Sequence, residues 1–207
     1  MEQFVEQLVR ARRLSGATFR GDLDDPWSRW VVNAMRQYRA VPVSWKRPPL
    51  QWVTLNTDAS VSQARAYGRG LLRDSDGRLI FAFYKELGEL DVLAAESSSL
   101  LYGLQRCMQG LQGRLMVRVD SESLVSLLRS TAITKWPLCN TIRHIRVLLL
   151  DLSALVQHIF REANSAADMM SKLRPSPDFF CTSQQQLRGR IRAALSLDSR
   201  ELCYLRM

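Results

Sequence analysis

Four carboxylates carry the chemical interest of this chain. Asp58 ends the extended run WVTLNTD, Glu96 lies in the helical run VLAAESSSLLYGL, Asp120 ends the apolar run RLMVRVD, and Asp168 closes HIFREANSAAD. Each stands where the local strand or helix pattern calls for an apolar residue. Burying one ionised carboxylate alone is costly, whereas a cluster that shares divalent cations is compensated. The four positions therefore predict one shared metal site. Hard carboxylate oxygens suit Mg²⁺, which takes few protein ligands and keeps several waters. No Cys/His or Ser/His arrangement offers a nucleophilic side chain instead.

Groups this far apart in sequence need a sheet and its helices to meet. Residues 52–58 alternate and are β-rich, and YGRGLLRD and LIFAFYK flank a DSDG turn at Asp74–Gly77, which predicts a three-strand antiparallel meander. From Val92 to about Gly110 the period changes. Leu93, Leu100, Leu101, Leu104 and Met108 recur at helical spacing, with Glu96 on the same stripe, which aims its carboxylate inward. RLMVRV reads as a buried strand, and Asp120 and Ser121 stand at its junction with a helix that Ser121 caps. A helix around Pro137–Leu150, the strand ALVQHIFRE and a helix from near Ala163 to about Leu173 follow, ended by Pro175 and Pro177. This order predicts an α/β fold with a mixed five-stranded sheet, three antiparallel strands then two parallel, flanked by helices.

Composition narrows the class. The 207 residues, 46% hydrophobic and 24% charged, are normal for a folded domain with flanking segments. The longest nearly apolar stretch, VLLLDLSALV, is broken by Asp151 and falls well short of a membrane span. The start, MEQFVEQLVRARRLSG, lacks the apolar core of a secretory signal and reads as an amphipathic helix with Phe4, Val5, Leu8 and Val9 on one face. Scattered Cys107, Cys139, Cys181 and Cys203, with only His144 and His158, support neither a disulfide framework nor a zinc finger. An intracellular, reducing location is expected, nuclear or cytoplasmic, with an organelle matrix left open.

The net charge of +9 is uneven. Basic residues outnumber acidic ones by nine to five in 1–51, by only fourteen to twelve in 52–173, and by six to three in 174–207. That is the pattern expected if the flanks grip a polyanion while the middle binds cations.

The motifs NTDAS (Asn56–Ser60), RDSDGR (Arg73–Arg78), AES (Ala95–Ser97), VDSES (Val119–Ser123) and HIFREANSAAD (His158–Asp168) occur in the order and on the element types of one family. From about Trp52 to Leu173 the chain resembles the plant reverse-transcriptase-like domains of type 1 ribonuclease H character, related to those of non-LTR retroelements. The resemblance implies the ribonuclease H-like fold and Mg²⁺-dependent hydrolysis of the RNA strand of RNA–DNA hybrids with two ions, Mn²⁺ substituting. Asp58 would bridge both ions, Glu96 and Asp120 would hold one, and Asp168 the other. Contacts to nucleic acid would fall to Ser60, Ser121, Glu122, Arg161 and Asn164.

Departures from the family pattern point toward drift. Ala59 replaces the usual glycine, Arg69 sits between Gly68 and Gly70 where a glycine pair is common and is expected to narrow or recharge the sheet surface, and Glu122 replaces a glutamine. A second function class therefore stands beside the nuclease: a domesticated retroelement remnant that binds nucleic acid or a protein partner with weak catalysis or none. A transposase or resolvase is a weaker third reading. His158 reads as a satisfied core histidine, and Lys135-Trp136-Pro137 as a helix-start packing motif. Residues 1–51 read as a helical appendage, with an acidic turn at Asp22–Pro26, a helix from Trp27 to Arg39 and a Pro-rich linker. Residues 174–207 read as a basic amphipathic tail whose Leu187, Ile191, Ala194 and Leu195 favour docking on protein.

Overall fold

A computed structural model describes residues 41–131, 134–171 and 178–206, together with Gln7. The helices and turn expected before Val41, and Pro175 and Pro177, lie outside the described residues. The chain divides into two compact units. One comprises Met1–Val43 with Leu205–Met207; it contains β1 (Val41–Val43), which pairs with β8 (Tyr204–Arg206), a strand whose first residue belongs to the other unit. The other, Ser44–Tyr204, contains the four carboxylates, the 52–173 segment and the nearest parts of its flanks.

This larger unit is built on β2 (Trp52–Ser62), β3 (Arg65–Arg73), β4 (Leu79–Gly88), β5 (Arg114–Val119), β6 (Leu155–His158) and β7 (Phe179–Cys181). Their order in the sheet is β6-β5-β2-β3-β4-β7. β2, β3 and β4 form the antiparallel meander, and β5 and β6 run parallel to β2. The five expected strands are present. β7 adds a sixth, antiparallel to β4, from the segment read as a tail. The turn between β3 and β4 closes because Asp74 Oδ1 accepts from the backbone N–H groups of Asp76 and Arg78, with Gly77 at φ 79°.

Side chains alternate between the two sheet faces, and each face has its own core. On the first, Val53, Leu55, Leu72, Phe81 and Phe83 meet α1 (Val92–Cys107), α2 (Glu122–Arg129) and α3 (Leu138–Asp151) through Leu100, Leu104, Leu124, Ile142 and Ile145. Glycine allows α1 to come this close. A Cβ on Gly68 would lie 2.9 Å from that of Ser99, and one on Gly103 of α1 would lie 3.0 Å from Leu55 Cδ2 in β2. On the second face, Leu71, Ala82 and Tyr84 meet α4 (Ser165–Ser171) and α5 (Gly189–Ser199) through Ala166, Ala167, Met170, Ile191, Ala194 and Leu195. The Leu/Ile stripe of the C-terminal segment thus lies against the sheet, while Arg188, Arg190 and Arg192 face outward and are exposed.

Two expectations about single residues fail. His158 is exposed: β6 is the edge strand, with no further strand beside it among the described residues. Trp136 is 79% exposed: α3 starts only at Leu138, so the indole precedes the helix and escapes its packing face. Among the described residues no helix is long and apolar enough to cross a membrane.

Candidate metal centre

Asp58, in β2, faces the second core, as do Asn56 before it and Arg69 across the ladder. Glu96 lies in the second turn of α1, whose start is fixed by Asp91 Oδ1 accepting from Ala94 N–H at 2.8 Å. Asp120 follows the last residue of β5, and Ser121 after it accepts from Leu124 N–H at 3.3 Å as the cap of α2. A strand interior, a helix face and a strand end thus converge. One carboxylate oxygen each from Asp58, Glu96 and Asp120 lie within 4.8 Å of one another.

Asp168, in α4, stands beside this triad. Its charge pushes up the pKa of both Asp58 and Asp120, but it lies outside the tight group, and Arg161 holds its Oδ1 from Nε at 3.1 Å and Nη2 at 2.8 Å. The tertiary structure therefore gathers three of the four predicted ligands and leaves the fourth adjacent, in an ion pair.

The electrostatics of the triad are those of a site short of positive charge. Burial, then repulsion from Asp58 and Asp120, pushes Glu96 up to about 8. Burial and Asp58 push Asp120 up to about 6. Burial also raises Asp58, with Arg69 opposing the rise. Glu96 is 6% exposed; its Oε1 accepts from Ala59 N–H at 3.2 Å, while its Oε2 is buried with no hydrogen-bond partner. A carboxylate that carries an orphaned buried oxygen and lies beside two more carboxylates fits a divalent cation, the group that would fill that oxygen's coordination and cancel the repulsion. The replacement of glycine by Ala59 does no harm here, because the contact is made by the backbone N–H.

The residues expected to touch nucleic acid separate into three groups. Glu122 and Arg161 are exposed next to the triad's neighbours, Glu122 opening α2 and Arg161 on Asp168. Ser60 and Ser121 are half-buried, Ser60 accepting from Arg69 Nη1 at 2.9 Å. Asn164 is buried, its Oδ1 accepting from Asn56 Nδ2 at 3.1 Å and its Nδ2 donating to Thr57 O at 3.0 Å, so it joins the 3₁₀ turn Arg161–Asn164 to β2.

Two features escaped the sequence reading. Arg69 is a direct partner of Asp58, beyond a change of surface charge. Further along the same strands, Trp45, Asn56, Arg73 and Asp198 form a buried polar cluster that ties both flanks to the sheet. The available signal was arginine at 69 and 73 on the face of β3 that also carries Leu71. A strand that buries Leu71 must bury or pair those arginines too.

Residues 56–174 match the family model described as reverse transcriptase-like. The chain belongs to that family. Over 129 residues this reverse transcriptase-like domain is 30% identical to an Arabidopsis thaliana protein provisionally named as a ribonuclease H protein, covering 61% of the present chain and 21% of that relative. The chain thus spans about a fifth of that relative's length. Among solved structures, ribonuclease H1 of Halobacterium salinarum NRC-1 superposes with a TM-score of 0.53 at 21% identity, over 57% of this chain and 92% of that one. LC11-RNase H1, isolated from compost, gives 0.53 at 23% identity over 58% and 93%. The same enzyme in complex with an RNA/DNA hybrid gives 0.51 at 23% identity over 56% and 91%. At these identities the likeness establishes the ribonuclease H fold for the reverse transcriptase-like domain.

Proposed function

We propose that this domain is an endonuclease that hydrolyses the RNA strand of RNA–DNA hybrids with two divalent cations, Mg²⁺ by preference and Mn²⁺ in its place. The observation that carries the reading is the buried, unpartnered Oε2 of Glu96 within a three-carboxylate cluster on a ribonuclease H fold. Bound divalent ions supply Lewis-acid stabilisation of the attacking and departing oxygens of the phosphodiester.

The chain's own residues do the rest. Asp58, Glu96 and Asp120 would provide hard oxygens for one ion, and Asp58 with Asp168 would provide those for another. The Ala59 N–H holds Glu96 Oε1 in place and leaves Oε2 buried without a partner. Glu96 and Asp120 must give up protons to serve as ligands, so burial that raises their pKa also reserves the site for a cation. His158 Nε2 lies 3.2 Å from Asp120 O and steadies the strand end that carries this ligand. Ser121 and Glu122 open α2 beside Asp120, where a substrate backbone would pass, and discrimination of RNA from DNA would come from contacts to 2′-hydroxyls.

One observation favours a second reading. The Asp58–Arg69 ion pair engages the first aspartate, as in a module that binds hybrids and no longer cuts them. Cleavage of an end-labelled RNA–DNA hybrid with Mg²⁺ or Mn²⁺, beside single-stranded RNA, duplex RNA and duplex DNA, separates the two. The expected result is metal-dependent cutting of only the hybrid's RNA strand, with Asp120→Asn slower by about a thousandfold, the scale of several kcal/mol of transition-state stabilisation. Tight hybrid binding with no cutting under either metal establishes the binding module instead.

A further inference from the structure

Asp58 meets a cation supplied by its own sheet. Arg69 lies directly opposite it in the β2–β3 ladder and is 2% exposed. Its Nε and Nη2 approach Asp58 Oδ2 at 2.8 and 2.7 Å. Its remaining nitrogen, Nη1, donates to Ser60 Oγ at 2.9 Å, and its backbone N–H donates to Ser99 Oγ at 3.0 Å. Every side-chain nitrogen of Arg69 therefore has a partner, and the guanidinium is locked on one oxygen of Asp58. Asp168 is held in the same way by Arg161, from an exposed position. Glu96 and Asp120 make no ion pair among the described residues.

The acidic site is thus split between two carboxylates that hold an arginine and two that do not. We propose that Arg69 is a resident counter-ion occupying one cation position: the site takes one divalent ion on its Glu96–Asp120 side, and a second only when Arg69 is displaced from Asp58 Oδ2. A second ion on Asp58 Oδ2 would meet the positive charge of Arg69 directly, and moving Arg69 away would strand it in a buried location without its carboxylate. Arg69 acts here as a positioning residue that sets metal stoichiometry. The inference rests on the reading of the cluster as a metal site.

The test counts Mn²⁺ on the full chain, by calorimetry and by electron paramagnetic resonance of the free ion, without reference to cleavage. Wild type is expected to bind one ion per chain over a range in which Arg69→Gln binds two, the second tightened roughly tenfold or more, the scale of a charge-assisted hydrogen bond removed from competition. Ser60→Ala removes only the Nη1 anchor and leaves the buried pair intact, so it remains informative if Arg69→Gln does not fold. It is expected to tighten the second ion by about threefold. Two ions of equal affinity in wild type, or unchanged titrations in both folded variants, overturn the proposal. Should no variant bind Mn²⁺, the metal-site reading and this proposal both fall. Hybrid cleavage together with a Mn²⁺ titration that Arg69→Gln leaves unchanged overturns only this one.

Discussion

Two regions of one sheet face, built on the same two strands, treat buried charge in opposite ways. Near the middle of β2 and β3, Asp58, Glu96 and Asp120 crowd together, with Arg69 in ion pair with Asp58 alone. Toward the start of β2 and the end of β3, Arg73 and Asp198 are both buried and matched one to one, with Arg73 Nη1 and Asp198 Oδ2 2.7 Å apart. Arg73 also donates from Nη2 to Asn56 Oδ1 at 2.8 Å and stacks on Trp45 at 3.8 Å, although its Nε has no acceptor. Asp198 Oδ1 accepts from Tyr204 OH, which accepts from Ser165 Oγ. In the second region Arg73 and Asp198 offset each other beside a further buried arginine, Arg118, and the contacts join β2, β3, α4, α5 and Tyr204. The first carries excess negative charge and an orphaned oxygen. Matched buried charges pin segments together, whereas unmatched ones define a place for something that arrives later.

Breaking the matched region should have the largest effect. Asp198→Ala leaves Arg73 buried without its carboxylate and is expected to lower stability by about 3–5 kcal/mol in urea unfolding. A loss below 1 kcal/mol would mean that Asn56 and Trp45 suffice to hold Arg73. The unmatched region should respond to what is added. Saturating Mg²⁺, at about a hundred times its dissociation constant, is expected to stabilise wild type by about 2.7 kcal/mol in thermal unfolding, and Glu96→Gln should abolish the gain. An equal gain in that variant would place the ion elsewhere.

The smallest effect sharpens the contrast on α5, whose inner face carries Asp198 and whose outer face carries exposed arginines. Arg190→Gln is expected to leave stability unchanged, and to reduce the slope of log affinity for hybrid against log salt by roughly 0.9 if Arg190 neutralises a phosphate. An unchanged slope would confine α5 to docking. Substitution is the right tool, since Leu187, Ile191, Ala194 and Leu195 are core residues and deleting the segment would open the second core.

Much of this was legible in the linear chain because it depends on short-range pattern. The alternation of WVTLNTD, the Asp74–Gly77 turn and the Ser121 cap each involve neighbours within a few residues, and each appears where the pattern places it. The positions of the carboxylates on their elements were legible for the same reason: Glu96 shares the stripe of Leu100 and Leu104, so the helix that buries them also buries it. His158 and Trp136 misled, because whether an apolar strand lies at an edge, or an indole precedes a helix, is set by what packs alongside.

The sequence by itself determined the elements, the acidic residues they carry, and the family to which residues 56–174 belong. Only the tertiary structure decided who meets whom. It set Arg69 on Asp58 across a ladder, buried Asn164 between Asn56 and Thr57, drew Phe179–Cys181 in as a sixth strand, and matched Arg73 with Asp198 across 125 positions of sequence. The physical reason is range. Secondary structure follows from periodicities of two and 3.6 residues that a chain displays locally, while the pairing of buried charges depends on distances that exist only once sheet register and helix docking are fixed.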